Sequence, residues 1–92
     1  MLRRRVELVE LRRRTNPADV LVPYRALIDA QLLESLDKRR YDKTIMLLRG
    51  LREAHEKLYE VAQFATYLEE LREANRRRPT FLTKLDAAFA AR

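Results

Sequence analysis

Residues 38–58 read KRRYDKTIMLLRGLREAHEKL and hold the most regular apolar pattern of the chain. Apolar side chains recur three or four residues apart from Tyr41 onward, which predicts one amphipathic helix. Its opposite face carries Arg49 and Glu53 at a spacing of four, as on a solvent-exposed helix surface. Gly50 falls on this polar face, where it is expected to cost about 1 kcal/mol relative to Ala. The predicted buried side chains of this helix are Tyr41, Ile45, Leu48 and Leu51.

Proline and capping residues divide the rest of the chain into helices on either side of this segment. Asn16 and Pro17 suit the cap and the first position of a helix, and Asp37 suits the cap of the central helix. Pro23 predicts a kink, or a helix that begins at Pro23 after a short first turn. Pro79 follows three arginines and ends the preceding helix. The predicted helices cover about residues 2–14, 17–35, 38–58, 61–77 and 80–90.

The boundary between the third and fourth helices contains neither glycine nor proline. A single helix over 38–77 would be about 60 Å long and would leave the chain little to fold against. We therefore predict a turn at residues 58–61, and we expect the meeting of the third and fourth helices to be the centre of the core. Outside the central helix, the predicted core residues are Tyr24, Ile28, Phe64, Leu68, Leu71, Phe81 and Leu85.

Composition and a faint internal repeat predict an all-α domain. One Gly and three Pro in 92 residues are typical of a helical protein. Tyr24 and Tyr67 are 43 residues apart, Tyr41 and Phe81 are 40 apart, and neighbouring apolar residues keep each register. We expect a single domain over 1–92, with four or five antiparallel helices stacked as helical hairpins. This could be a tetratricopeptide-like stack or a small orthogonal bundle.

Charge changes sign from one predicted helix to the next. The blocks 1–16, 38–59 and 76–92 each carry a net charge of +4, and the blocks 17–37 and 60–75 each carry −3. Because antiparallel neighbours should then attract each other, the odd-numbered helices are expected to form one basic side. The net charge of +6 favours acidic partners, such as nucleic acid, anionic lipid or an acidic protein surface.

The residue inventory argues against catalysis and against a metal site. The chain has no Cys and a single His, His55, which lies on the apolar face of the central helix and is expected to be a core side chain. Glu69, Glu70 and Glu73 are expected to be a solvated surface, because adjacent helical positions do not converge on one cation. One Gly leaves no phosphate-binding loop. We expect no enzyme activity, no cofactor and no metal.

Basic residues cluster near the predicted helix ends and are the candidate contacts for an acidic partner. Consecutive helical arginines point about 100° apart, so one triplet cannot form a stripe. Several triplets brought together by folding could follow a phosphate backbone. Stabilisation of helix C-termini explains 12–14 and 76–78 without any ligand. The candidates are Arg3, Arg4, Arg5, Arg12, Arg13, Arg14, Lys38, Arg39, Arg40, Lys43, Arg76, Arg77 and Arg78.

The first helix carries two apolar stripes on nearly opposite sides. Leu2, Val6 and Val9 form one stripe, and Leu8 and Leu11 form the other. A terminal helix on the surface needs only one apolar stripe. Two stripes predict that this helix sits between neighbours in a longer array or self-associates, whereas the alternative is an ordinary frayed terminus.

Five motifs follow one another along the chain: NPADVLVPY at 16–24, DKRRY at 37–41, LLRGLR at 47–52, FATYLEELR at 64–72 and RRRPTFL at 76–82. Their order resembles the C-terminal α-helical tail of bacterial SWIM zinc-finger proteins and related uncharacterised helical-repeat proteins, over about residues 15–89. The resemblance implies a tetratricopeptide-like stack that follows a zinc finger implicated in nucleic-acid or protein binding. Without Cys, the finger and its zinc do not carry over. The usual glycine-containing turn is replaced by Leu58-Tyr59-Glu60.

These patterns predict a binding protein of one of three kinds. The first is a protein-interaction or assembly module with a groove or an exposed helix face for its partner. The second is a small nucleic-acid-binding protein that uses clustered Arg and Lys. The third attaches to anionic membranes through the amphipathic first helix, although we expect no membrane association. No signal peptide is evident and the apolar runs are too short to cross a bilayer, so we expect a cytoplasmic protein.

Overall fold

The computed structural model describes residues 2–89 and the side chains of residues 5–89. Over this range the fold is all-α, without strands, as the composition predicts. The last residue of the predicted helix 80–90 lies outside the described range. The helices are α1 (Leu2–Thr15), α2 (Leu21–Leu32), α3 (Arg40–Lys57), α4 (Val61–Ala74) and α5 (Pro79–Ala88), with a short 3-10 helix (Pro17–Val20) before α2.

The start of α2 differs from both predicted starts, which were residue 17 and Pro23. The chain first makes the 3-10 helix, and α2 then begins at Leu21. Pro23 is the third residue of α2, where a backbone N–H would have no helical carbonyl to bind, so the helix tolerates it. Asn16 forms no side-chain cap hydrogen bond, and its side-chain amide nitrogen donates to Thr15 Oγ1.

The loop between α2 and α3 is longer than the predicted break, since α2 ends at Leu32 and α3 begins at Arg40. Asp37 fastens this loop. Its carboxylate accepts hydrogen bonds from Lys43 Nζ at 2.8 Å, from the backbone N–H of Arg39 at 2.9 Å and from Gln31 Nε2 at 3.1 Å. The bonds from Lys43 and Arg39 hold the pKa of Asp37 below its ordinary value.

The turn between α3 and α4 contains Tyr59 in the left-handed region, with φ of 58°. The backbone N–H of Glu60 donates to the carbonyl of His55 at 2.8 Å, and that of Tyr59 donates to Glu56 at 3.1 Å. These two bonds form a Schellman motif, in which the left-handed residue is usually glycine. A helix therefore stops here although the sequence has no glycine at the turn.

The fourth helix ends at Ala74, three residues before its predicted end at 77. The side-chain amide of Asn75 donates to the carbonyl of Leu71 at 2.8 Å and so satisfies one of the last free carbonyls of α4. The backbone N–H of Arg78 then donates to the carbonyl of Asn75 at 2.9 Å. Arg76, Arg77 and Arg78 consequently lie in the loop before α5 and not in a helix.

The core is centred on α3, which contacts each of the other four α-helices. Its most extensive contact is with α2, so the expectation that α3 and α4 form the centre of the core was wrong. The reason is that α2 buries Tyr24, Leu27 and Ile28 completely, whereas α4 buries only Phe64 and Leu71. All of the predicted core residues are buried except Tyr41 and Leu68, which are partly exposed and pack against the core.

α1 and α5 lie against different sides of α3. Arg13 of α1 contacts Glu53 of α3 at 3.5 Å, and the ring of Phe81 in α5 lies 5.3 Å from that of Tyr41 in α3. On the other side of the molecule, α2 and α4 meet where the Arg25 guanidinium lies 4.6 Å above the Tyr67 ring. A strip of α3 between α1 and α5 therefore remains uncovered.

Candidate functional site

A groove of about 920 Å³ lies between α1, α3 and the loop that joins α2 to α3. Its apolar lining includes Val6 from α1 and Met46 and Leu47 from α3. Met46 is apolar and yet 68% exposed. A smaller depression between α3 and α5 shares Met46 and Arg49 with this groove, so the two adjoin along the uncovered strip of α3. We call the larger one the α3 groove.

Most basic side chains in the α3 groove are neutralised by acidic ones from this chain. Lys43 contacts Asp37 at 2.8 Å, and Arg13 contacts Glu53 at 3.5 Å. Arg49 is the exception, since its side chain has neither an ion pair nor a hydrogen bond with any residue in the described part of the chain. Among the described residues, the groove therefore presents Arg49 as an unpaired cation beside the exposed Met46, with the unpaired carboxylate of Glu34 on the loop wall.

Tyr24, Glu10 and Arg13 form a polar cluster at the wall of the groove. Tyr24 is fully buried, and its hydroxyl donates to Glu10 Oε2 at 2.9 Å. Burial and this bond to a carboxylate raise the pKa of Tyr24 above its ordinary value. Arg13 Nη2 contacts Glu10 Oε1 at 3.1 Å, so one carboxylate joins both side chains. The wall formed by α1 is thereby fixed to α2.

Gly50 is buried beneath this cluster, so the prediction that it lies on the polar outer face was wrong. A Cβ atom at this position would lie 2.7 Å from Tyr24 Cζ and 2.9 Å from Arg13 Nη1. Neither contact is sterically acceptable, and the buried Tyr24 ring has little room to move. The periodicity of α3 could not reveal this, because the side chains above Gly50 come from α1 and α2.

Two of the predicted basic triplets meet at one end of the molecule, where α2 and α4 stop and α3 and α5 begin. Arg78 Nη1 donates to the carbonyl of Leu32 at the C-terminus of α2, at 3.4 Å. The rings of Tyr41 and Phe81 join the first turns of α3 and α5. We call this surface the basic end, and it comprises Lys38, Arg39, Arg40, Arg76, Arg77 and Arg78.

Three members of the basic end already have contacts within the chain. Arg40 lies 4.7 Å above the Tyr41 ring, and Arg76 contacts Glu73 at 3.2 Å. Arg78 donates to the C-terminus of α2, as described above. In the described part of the chain, the side chains free of such contacts at this end are those of Lys38, Arg39 and Arg77.

The remaining predicted contact residues are not brought together. Arg12 contacts Asp19 at 3.1 Å, and Arg13 is mostly buried between two carboxylates. Arg5 and Arg14 are exposed on α1. Lys43 holds Asp37 and so stabilises the loop before α3. The side chains of Arg3 and Arg4 lie outside the described residues.

The ion pairs between helices do not follow the predicted attraction between charge blocks. Arg13–Glu53 and Lys84–Asp42 each join two odd-numbered helices. Arg72–Asp86 joins α4 to α5, but it uses the one Arg of the acidic block and the one Asp of the basic block. The majority charges of each block mostly point to solvent, away from the neighbouring helix. Pairs between neighbouring blocks, such as Arg12–Asp19, occur where two blocks meet along the chain.

His55 is buried between α3 and α4, where the sequence predicted a core side chain. Its ring centroid lies 5.9 Å from that of Phe64, and its Nδ1 atom lies 3.4 Å from Glu60 Oε1. Within the described part of the chain, neither ring nitrogen forms a hydrogen bond of good geometry. Burial and the nearby Arg25 lower the pKa of His55, and Glu60 offsets this lowering only in part.

The described part of the chain has no group of three or more His, Asp or Glu side chains that is placed to hold a metal ion. None of its helices combines the length and apolar character that a membrane span needs.

Comparisons of the chain with models of protein families, with curated proteins and with solved structures gave no match. The resemblance to the tail of SWIM zinc-finger proteins therefore stays a prediction.

Met46 is the groove residue that sequence reasoning missed. It lies on the side of α3 that carries Asp42 and Arg49, outside the apolar arc that defines the buried face. A large apolar side chain among charged neighbours on a helix surface could have indicated a binding surface from the sequence alone. No sequence pattern indicated that Val6 and Glu10 line the α3 groove, because their position there depends on how α1 is placed against α3.

Proposed function

We propose that this chain is a non-enzymatic interaction module that holds a segment of a partner protein in the α3 groove. The observation that carries the proposal is the exposed Met46 beside Arg49, which forms no ion pair with any described residue. An apolar side chain of the partner would cover Met46 and Leu47, and an acidic side chain would pair with Arg49. Methionine and arginine are both enriched at protein interfaces, and methionine adapts its shape to different partners.

The walls of the α3 groove support this proposal because they are already ordered. Tyr24, Glu10 and Arg13 fasten the wall on α1, and Asp37 with Lys43 fastens the loop at the other wall. A partner therefore need not order these side chains on binding, which lowers the entropic cost of association.

Site-specific crosslinking tests the proposal. We would replace Met46 with the photo-reactive residue benzoylphenylalanine, irradiate cells that produce the protein, and identify the crosslinked proteins by mass spectrometry. We expect one dominant partner, and we expect its crosslink to disappear when Arg49→Glu is added. The matched control carries the same photo-reactive residue at Val22, an exposed apolar position on α2. If the Met46 and Val22 positions give the same products, or if Met46 gives none, the α3 groove is not the binding site.

Nucleic-acid binding is a second candidate function, supported by the convergence of two triplets at the basic end. Lys38, Arg39 and Arg77 are exposed there, and cations at such a surface would contact phosphate groups. A fluorescence titration with DNA and RNA at low and high salt tests this function. Each lost contact to duplex DNA should reduce the slope of log affinity against log salt by about 0.9.

The matched pair of variants for this titration changes three cations to Gln at a time. One variant changes Lys38, Arg39 and Arg77, and the control changes Arg14, Arg52 and Lys57, which are exposed on other surfaces. Nucleic-acid binding at the basic end requires that the first variant loses most of the affinity and that the control keeps it. Equal losses would indicate attraction by net charge alone.

A further inference from the structure

One of the two apolar stripes of α1 has no partner among the residues that the structure describes. Val6 and Val9 pack against the core, whereas Leu8 and Leu11 are 61% and 69% exposed. The exposed pair lies at the middle of the outward side of α1, where a solitary surface helix would carry polar residues. We call this surface the α1 outer face, and it comprises Arg5, Glu7, Leu8, Leu11, Arg12, Arg14 and Thr15, with three arginines against one glutamate.

The outward side of α4 has the complementary character. Its first half exposes the small residues Ala62, Ala65 and Thr66, over which another helix could pack closely. Its second half exposes acidic residues. Glu73 contacts Arg76 at 3.2 Å, but both side chains remain largely exposed. We call this surface the α4 outer face, and it comprises Ala62, Ala65, Thr66, Glu69, Glu70 and Glu73.

We propose that the α1 outer face of one copy of this chain packs against the α4 outer face of a second copy. Leu8 and Leu11 would cover Ala62, Ala65 and Thr66. Arg5 and Arg14 at the two edges of the leucines would face the glutamates, whereas Arg12 is already paired with Asp19. Contact between two α1 outer faces would oppose arginines, and contact between two α4 outer faces would oppose glutamates. Charge therefore favours the unequal pairing over both symmetric ones.

This pairing is heterologous, because it joins two different surfaces. Each added copy leaves one α1 outer face and one α4 outer face free at the ends, so assembly continues with concentration unless the ring closes. The apolar contact is small and the charged contacts are exposed, so the assembly is weak and salt-sensitive. Met46 and Arg49 take no part in it, which keeps this inference independent of the proposed groove.

Sedimentation velocity of the complete chain tests the assembly. At low salt, the weight-average sedimentation coefficient of the wild type should rise steadily with protein concentration, and high salt should reverse this rise. Leu11→Glu removes the apolar contact and repels the α4 outer face. The double variant Glu69→Lys, Glu73→Lys repels the α1 outer face. Each of these two variants should remain monomeric when studied alone.

The decisive measurement mixes the two variants. Leu11→Glu keeps an intact α4 outer face, and the double lysine variant keeps an intact α1 outer face, so these two faces can pair fully. The two altered faces lack the apolar contact and oppose arginines to lysines, so their pairing is the weaker one even though the introduced carboxylate meets the lysines. The mixture should therefore give a one-to-one dimer as its main species. A symmetric interface would not produce this result. The variant whose interface face is intact would then form a dimer by itself, and the other variant would form none.

Two controls separate the assembly from effects on folding or on the groove. Val22→Glu adds a carboxylate at an exposed apolar position on α2, and Met46→Glu adds one in the α3 groove. Both should assemble like the wild type, and circular dichroism should show wild-type helix content for every variant. A wild type that stays monomeric at every concentration, a Leu11→Glu variant that assembles normally, or a mixture that stays monomeric would overturn the proposal.

Discussion

The missing side chain of Gly50 sets how closely α1 and α2 approach α3. We expect Gly50→Ala to destabilise the protein by about 1–3 kcal/mol, because its Cβ would overlap the buried Tyr24 ring. This strain outweighs the gain of about 1 kcal/mol that Ala brings in helix propensity. Urea unfolding measures the difference, with Arg49→Ala on the exposed side of α3 as a control that should change little. A stabilised Gly50→Ala variant would contradict the packing at this position.

Tyr59 adopts a backbone conformation that L-residues other than Asn and Asp rarely take. We expect Tyr59→Gly to raise the free energy of unfolding by about 0.5–1 kcal/mol, because glycine adopts a positive φ without steric cost. The side chain is 95% exposed, so its removal loses little packing. Tyr59→Ala is the matched control, since it removes the side chain and keeps the strain. Thermal melts of both variants should separate by several degrees if the Schellman motif is correct.

His55 links the stability of the protein to pH. Its pKa in the folded protein is lower than the ordinary value of 6.5, so the unfolded chain binds this proton at a higher pH. The contribution of His55 to the free energy of unfolding is therefore fully present above about pH 6.5, and it falls as the pH drops toward the lowered pKa. We expect the free energy of unfolding, measured by urea titration from pH 8 to pH 5, to decline less steeply in His55→Leu. Identical pH profiles would mean that His55 titrates normally in the folded state.

At the scale of the helices, the contact between α2 and α3 dominates the core. Leu48→Ala should cost about 2–5 kcal/mol, because Leu48 is completely buried at the centre of this contact. Leu68→Ala should cost clearly less, since Leu68 in α4 is partly exposed. Denaturant unfolding of the two variants compares them directly. Equal losses would restore the expectation that α3 and α4 form the centre of the core.

Periodicity was sufficient to predict where the helices are, and it was less reliable about where they end. The apolar spacing of α3 predicts its buried face, and Ile45, Leu48 and Leu51 are all buried. The end of α4 depends on the bond from Asn75 to Leu71, which no helix pattern indicates. Helix ends are decided by single hydrogen bonds, whereas helix faces are decided by many side chains acting together.

The candidate site was less accessible from sequence than the fold. The basic triplets were evident from the sequence, but only the structure distinguishes which arginines are free. Arg12 and Arg13 make internal ion pairs, whereas Arg39 and Arg77 remain exposed. The α3 groove depends on the placement of α1 against α3 and so has no signature in any one segment. Charge alternation along the chain likewise did not predict which helices are joined by ion pairs.

For the whole molecule, the central position of α3 implies that some helices unfold locally more readily than others. The amides of α3 should exchange with deuterium mainly through complete unfolding, because every other α-helix must be displaced to expose them. None of the described side chains of α1 is fully buried, so its amides should exchange through smaller and more frequent openings. The wall of the α3 groove on α1 therefore yields only when the bonds that Glu10 and Arg13 make to Tyr24 and Glu53 break, whereas the wall on α3 stays in place. A ligand larger than the closed groove could enter by displacing α1 while the core stays folded.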